Sequence, residues 1–207
     1  MMRGRMKQLR ADETGGVLVE ATVMLVILFV FVLGSVDFLM AMYQWNAATK
    51  AVQQGARIAA VSSPVSSDLS TMTGLTGGVN PGEPMPYYKR VCASGSCSGG
   101  TFNSAALNTI VYGRGDTACG NSTSFYTAGM CDFFPRILPA NVVITYENTG
   151  LGYAARPGGP VPTITVTLQN MPFQFYFLGG LMGFANRQIA PIATETGEDL
   201  SSSAPTT

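Results

Sequence analysis

The chain has 207 residues, room for one ordinary domain and one further element. Its 12 basic and 12 acidic residues cancel, so no basic field draws nucleic acid. Charged residues are only 12% of the chain and histidine is absent, which removes the commonest general base and metal ligand; no enzymatic activity, cofactor or metal is expected.

In chain order, Arg3, Arg5, Lys7 and Arg10 come first, against Asp12 and Glu13. From Val17 to Leu33 only Glu20 and Thr22 interrupt an apolar run, which continues less purely through Val36-Asp37-Phe38 to Met42. A hydrocarbon layer about 30 Å thick needs about 20 helical residues, and residues 17 to about 40 supply them. The basic flank holds the N-terminus in the cytoplasm, so the chain beyond about residue 43 is expected to be exported. Tyr43 and Trp45 then fall where aromatic side chains mark the outer interface. A cleaved signal peptide is the competing reading. Against it stand the length of the run, Glu20 inside it, and the poor cleavage site Leu39-Met40-Ala41-Met42.

The helix is expected to run on past the interface. Phe38, Met42, Trp45, Thr49, Val52, Ala56 and Ala59 recur at alternating spacings of four and three, the seam of a packed helix. Ala41, Ala48 and Gly55 form a second line of small residues that permits close packing. Pro64 ends the segment, giving a helix from Gly16 to Val61 roughly 70 Å long. The seam fits a partner protein or the chain's own exported domain, and spacing alone leaves both open.

Residues 64–100, rich in Ser, Thr, Gly and Pro, read as loops. Ser104 to Tyr112 reads as a short helix. Val142 to Tyr146 and Thr163 to Leu168 read as strands, the second burying Ile164, Val166 and Leu168 on one face. A third strand is expected near Gln188 to Thr194, at an edge because Pro191 cannot donate to a central ladder. Phe173, Phe175, Tyr176, Phe177, Leu178, Leu181, Met182 and Phe184 form a dense apolar patch, read as a cover for the core or as a surface for a neighbour or the membrane. The four cysteines, Cys92, Cys97, Cys119 and Cys131, all lie on the exported side and imply two disulfides. Several pairings are possible, and Cys92–Cys97 with Cys119–Cys131 is the expected one. The expected fold class is α+β: a long N-terminal membrane helix against a small antiparallel sheet with disulfides. Its parts are a basic leader at 1–15, the helix at 16–62 (membrane-spanning to about 42), an exported domain at 63–196 and a disordered tail at 197–207.

Weaker patterns count for little. Arg114-Gly115-Asp116 reads as a charged glycine turn, Asn121-Ser122-Thr123 as a glycosylation pattern of little weight, and Gly95-Ser96-Cys97-Ser98-Gly99 lacks any histidine to activate Cys97.

The specific signal is the front end. A basic leader is followed by Gly15-Gly16 and then Glu20 near the start of the apolar helix. A carboxylate at a helix centre in lipid costs about 2.5–3.5 kcal/mol. Glu20 either snorkels to the nearby interface or meets the α-amino group of a neighbouring subunit freed by cutting at Gly15-Gly16, which would set subunit register. Gly15-Gly16-Val17-Leu18-Val19-Glu20, then Val36-Asp37-Phe38, then Gln54-Gly55-Ala56-Arg57-Ile58-Ala59-Ala60 resembles the TadE-like family, pseudopilin-like proteins of the Tad pilus system. The strand 163–168, Pro172 with its aromatics and Leu178-Gly179-Gly180-Leu181 extend the likeness over about 140–196. Ala21 stands where that family usually has an aromatic residue, and the proline it carries in the apolar run is missing. The doubled glycine leaves the cut after Gly15 or after Gly16.

The resemblance implies a single-pass protein of the bacterial inner membrane, exported C-terminally or carried into a pilus. It also implies processing by a prepilin peptidase and a role as minor pseudopilin or assembly factor. Partners would be other pilins or pseudopilins and the Tad machinery, met by helix packing through Phe38, Met42, Trp45, Val52, Gly55 and Ala56. The alternative is an uncut, membrane-anchored adhesin or binding module.

Overall fold

The computed structural model describes residues 13–122, 124–177, 179, 187–198 and 200. A long apolar N-terminal helix packs against a five-stranded antiparallel sheet braced by two disulfides, an α+β, pilin-like arrangement. The chain divides into two compact units. One holds the helix up to Met42 together with Gln174–Asn186, and the other holds Tyr43–Phe173 with the chain from Arg187 onward.

Helix α1 spans Glu13–Ala60. Its most apolar window has a mean hydropathy of 2.8 and none of that window is buried, so by length and composition it can cross a membrane. Ser62, Ser63 and Pro64 stop it, and its last carbonyls find partners outside the helix. Glu198 N–H donates to Ala60 O and the Arg114 guanidinium to Val61 O.

In the second unit the strands are β1 (Lys89–Ala93), β2 (Ser96–Cys97), β3 (Val142–Glu147), β4 (Thr163–Leu168) and β5 (Ile192–Thr196), in the order β2-β1-β3-β4-β5. Alternation decides the faces. Val142, Ile144 and Tyr146 of β3 and Ile164, Val166 and Leu168 of β4 point inward, all nearly or fully buried. They share one core with Ala48, Ala51, Val52, Ala56 and Ala59 of α1. The threonines of β4 lie on the other face, where Thr165 pairs with Thr194 of β5. Helix α2 (Ser104–Tyr112) is started by the Asn103 side chain, which accepts from Ala106 N–H, and is ended by Gly113 at φ 100°. A one-turn helix, α3 (Met130–Phe133), follows.

Two expectations need correction. Residues 64–100 are not all loop: they contain β1, β2 and a 3₁₀ turn at Ser67–Ser70. β1 was hidden because its strand character comes from pairing with β3, Lys89 opposite Glu147 through Ala93 opposite Val143, and not from its own pattern. The third strand is an edge strand but starts at Ile192, one residue after Pro191. Of residues 197–207 only 197, 198 and 200 are described; Gly197 N–H donates to Pro162 O and Leu200 is buried. The basic residues of the leader, the tail from 201, Thr123, and Leu178, Leu181, Met182 and Phe184 of the apolar patch lie outside the described residues.

Candidate subunit and membrane interface

In the first unit, every residue from Val17 to Val32 is exposed, in a run made almost wholly of apolar side chains. Such a surface is stable only in lipid or against other apolar helices. The polar interruptions spend their hydrogen bonds on the helix itself. Thr22 Oγ1 donates to Leu18 O and Val19 O, and Ser35 Oγ to Val32 O. Gly15 and Gly16 sit in the opening turns of α1, where a Cβ on either would meet nothing within 4 Å. Glu20 is exposed on the same stretch.

Asp37 is the exception to this exposure, at 1%. Its two carboxylate oxygens accept from the backbone N–H groups of Tyr176 and Phe177, at 2.9 and 3.0 Å. Charge-assisted bonds of this kind offset the cost of burying a carboxylate in an apolar setting. A charged residue inside the apolar run was a visible signal for such a partner, but its identity, a loop far along the chain, was not.

The expected seam divides. Phe38 and Met42 are 64% and 47% exposed, whereas Val52, Gly55 and Ala56 are buried within the chain itself. Trp45 lies between these cases, stacked on Phe173 at 6.5 Å while 42% exposed. The buried line from Tyr43 onward runs through Gln44, Ala48, Ala51 and Gly55. Gln44 Oε1 accepts from Arg136, whose other terminal nitrogen donates to Pro172 O. Gln54 donates to Ala128 O. Gly55 lies close against Met130: a Cβ there would stand 2.5 Å from Met130 Sδ and 2.8 Å from its Cγ.

Residues 15–57 match the model of the TadE-like protein family. The match runs from the glycine pair to Arg57 along α1 and stops short of the sheet, so the likeness over 140–196 lies outside it. The matched 43 of 207 residues are similar to TadE-like proteins, and the likeness stands for that stretch alone. No curated protein and no solved structure matches the chain. The matched stretch changes character along α1: it is almost wholly apolar and exposed from Val17 to Val32, whereas Gln44, Ala48, Ala51, Val52 and Gln54 to Ala56 are buried.

The segments that carry the cysteines are braced by covalent and hydrogen bonds. Cys92 is bonded to Cys97 across the β1–β2 pair, and Cys119 to Cys131 at the start of α3. Asp132 ties the second loop down, accepting from Gly120 N–H, Gly129 N–H and Ser122 Oγ. Burial pushes its carboxyl up, but those three hydrogen bonds outweigh burial and hold it below the ordinary aspartate value. Arg114-Gly115-Asp116 is a turn whose arginine is spent on the end of α1. Among the described residues no group of His, Cys, Asp and Glu could hold a metal ion.

Proposed function

We propose that this protein is a minor pseudopilin or assembly factor of a bacterial Tad-type pilus, held in the inner membrane with its N-terminus cytoplasmic and its sheet domain exported. A prepilin peptidase removes the basic leader at Gly15-Gly16. The freed helix then exchanges lipid contacts for contacts with the helices of other pilins or pseudopilins. The reading rests on one observation: the family match falls on a helix whose front half exposes an almost wholly apolar surface interrupted by Glu20, with open glycines at its start.

Glu20 lies only about 6 Å along the helix from Gly16. After the cut it faces the α-amino group of a neighbouring subunit, and each charge compensates the other in a dry bundle. Phe38 and Met42 extend the same exposed surface toward the outer interface. The parts of the chain then have distinct roles: a removable leader, an anchor to about Met42, and an exported domain that stiffens the end of the helix.

The test is surface pilus production in a strain lacking this protein. Restoring the wild-type chain should restore fibres, and Glu20→Ala should insert into the membrane yet give several-fold fewer. Normal fibres in the strain without the protein would contradict the proposal.

A further inference from the structure

Residues 174–177 leave the sheet domain through a closed neck. Phe173 N–H donates to Arg187 O and Ile189 N–H to Met171 O, with Pro172 and Gln188 bridged between them. Beyond that neck the chain belongs to the compact unit of the anchor half of α1 and not to the unit of the sheet. The link within the anchor unit is Asp37, which holds the N–H groups of Tyr176 and Phe177. The side chains of those two residues are free of the core, 65% and 49% exposed.

The depth of Asp37 follows from the helix. From Val17, the first residue of the apolar run, to Asp37 the helix rises about 30 Å at 1.5 Å per residue, and a bilayer's hydrocarbon layer is about 30 Å thick. With Val17 at the inner boundary, Asp37 stands at the outer one. Aromatic rings, and tyrosine with its polar tip above all, concentrate at that boundary. A carboxylate is suited to hold a loop there: its two oxygens satisfy two backbone donors that hydrocarbon chains would leave unpaired.

From this geometry we propose that residues 174–177 form a second membrane contact, with Asp37 as the latch that seats Tyr176 and Phe177 in the headgroup layer of the outer face. The occupant of this surface is lipid, because it continues the exposed face of the anchor at the depth where the anchor leaves the bilayer. The inference rests on the membrane-anchor reading of α1, and the experiment separates the failure of one from the failure of the other.

The full chain is placed in vesicles of phosphatidylethanolamine and phosphatidylglycerol. Trp45 is the only tryptophan, so Trp45→Phe gives a silent background. Three reporters are compared in it: Tyr176→Trp, Leu25→Trp in the anchor, and Tyr126→Trp, at a site 88% exposed in the sheet unit. Quenchers are iodide in the water and lipids brominated near the headgroup or deep in the chain. Tyr176→Trp should emit to the blue of Tyr126→Trp, respond best to the shallow bromines, and be quenched by iodide several-fold less. Adding Asp37→Ala should return its iodide quenching to the level of Tyr126→Trp while Leu25→Trp stays lipid-quenched.

If iodide reaches Tyr176→Trp as freely as Tyr126→Trp while Leu25→Trp is quenched by deep bromines, the second contact is refuted and the anchor stands. Protection from iodide without any response to brominated lipid also refutes it, since a protein then covers the loop. An unchanged response after Asp37→Ala removes Asp37 as the latch. Iodide quenching of Leu25→Trp overturns the anchor and this inference together.

Discussion

Substituting Gly55 by alanine should destabilise the protein, against the ordinary preference of helices. In an exposed helix interior, Gly→Ala gains about 1 kcal/mol from backbone entropy. Here the new methyl would meet Met130 Sδ at 2.5 Å and Cγ at 2.8 Å, and Met130 is fully buried, with no solvent to swing into. Overpacking of this kind costs about 1–3 kcal/mol, so the net change is a loss of about 1 kcal/mol. For a chain of this size that lowers the thermal midpoint by about 2–4 °C. The assay is thermal and urea unfolding of the full chain in mild detergent, followed by circular dichroism. Met130→Ala alone should cost about 2–5 kcal/mol by leaving a cavity. In that background Gly55→Ala should become stabilising by about 1 kcal/mol, a coupling of about 2 kcal/mol between the two sites. A higher midpoint for Gly55→Ala in the native background, or the same effect in both backgrounds, would refute the claim that this glycine exists to admit Met130.

The two disulfides should differ in worth. They close loops with sequence separations of 5 and 12, for which loop entropy predicts about 2 and about 3 kcal/mol. Paired Cys→Ala variants compared by urea midpoint should therefore rank Cys119–Cys131 above Cys92–Cys97, and a reversed order would count against the loop account. Asp132 gives an acid limb. Its folded pKa lies below the ordinary aspartate value of 3.8, so its contribution is present above that value and is lost as pH falls through the lowered one. Unfolding midpoints measured from neutral to strongly acid pH should fall less steeply below pH 3.8 for Asp132→Asn than for the native chain; parallel curves would show that the carboxylate adds nothing.

The elements that sequence reveals here are those whose cause is local. α1 is legible because its apolar run is long and Pro64 stops it, and α2 because Asn103 and Gly113 bracket it. β3 and β4 declare themselves by alternation, and Ile164, Val166 and Leu168 are indeed the inward set. β1 escapes because Lys89 and Arg90 break any apolar pattern, and its place depends on β3, far along the chain, and on the Cys92–Cys97 bond. The helix surface is only half legible for a similar reason. Apolar spacing selects Phe38, Met42 and Trp45, whereas the positions buried at the middle of α1 include polar Asp37 and Gln44. Both are paid for by partners distant in sequence, the 176–177 backbone and Arg136, which no periodicity can name.

The central claim is that α1 is a pilin-type helix released from a removable leader, and the most direct measurement is the intact mass, with N-terminal sequence, of the protein extracted from the membranes of its own host. A mature chain that begins at Gly16, and a Gly15→Leu variant that keeps Met1 and the whole leader, is the predicted result. A native protein that retains the leader in membranes of cells assembling pili would contradict it.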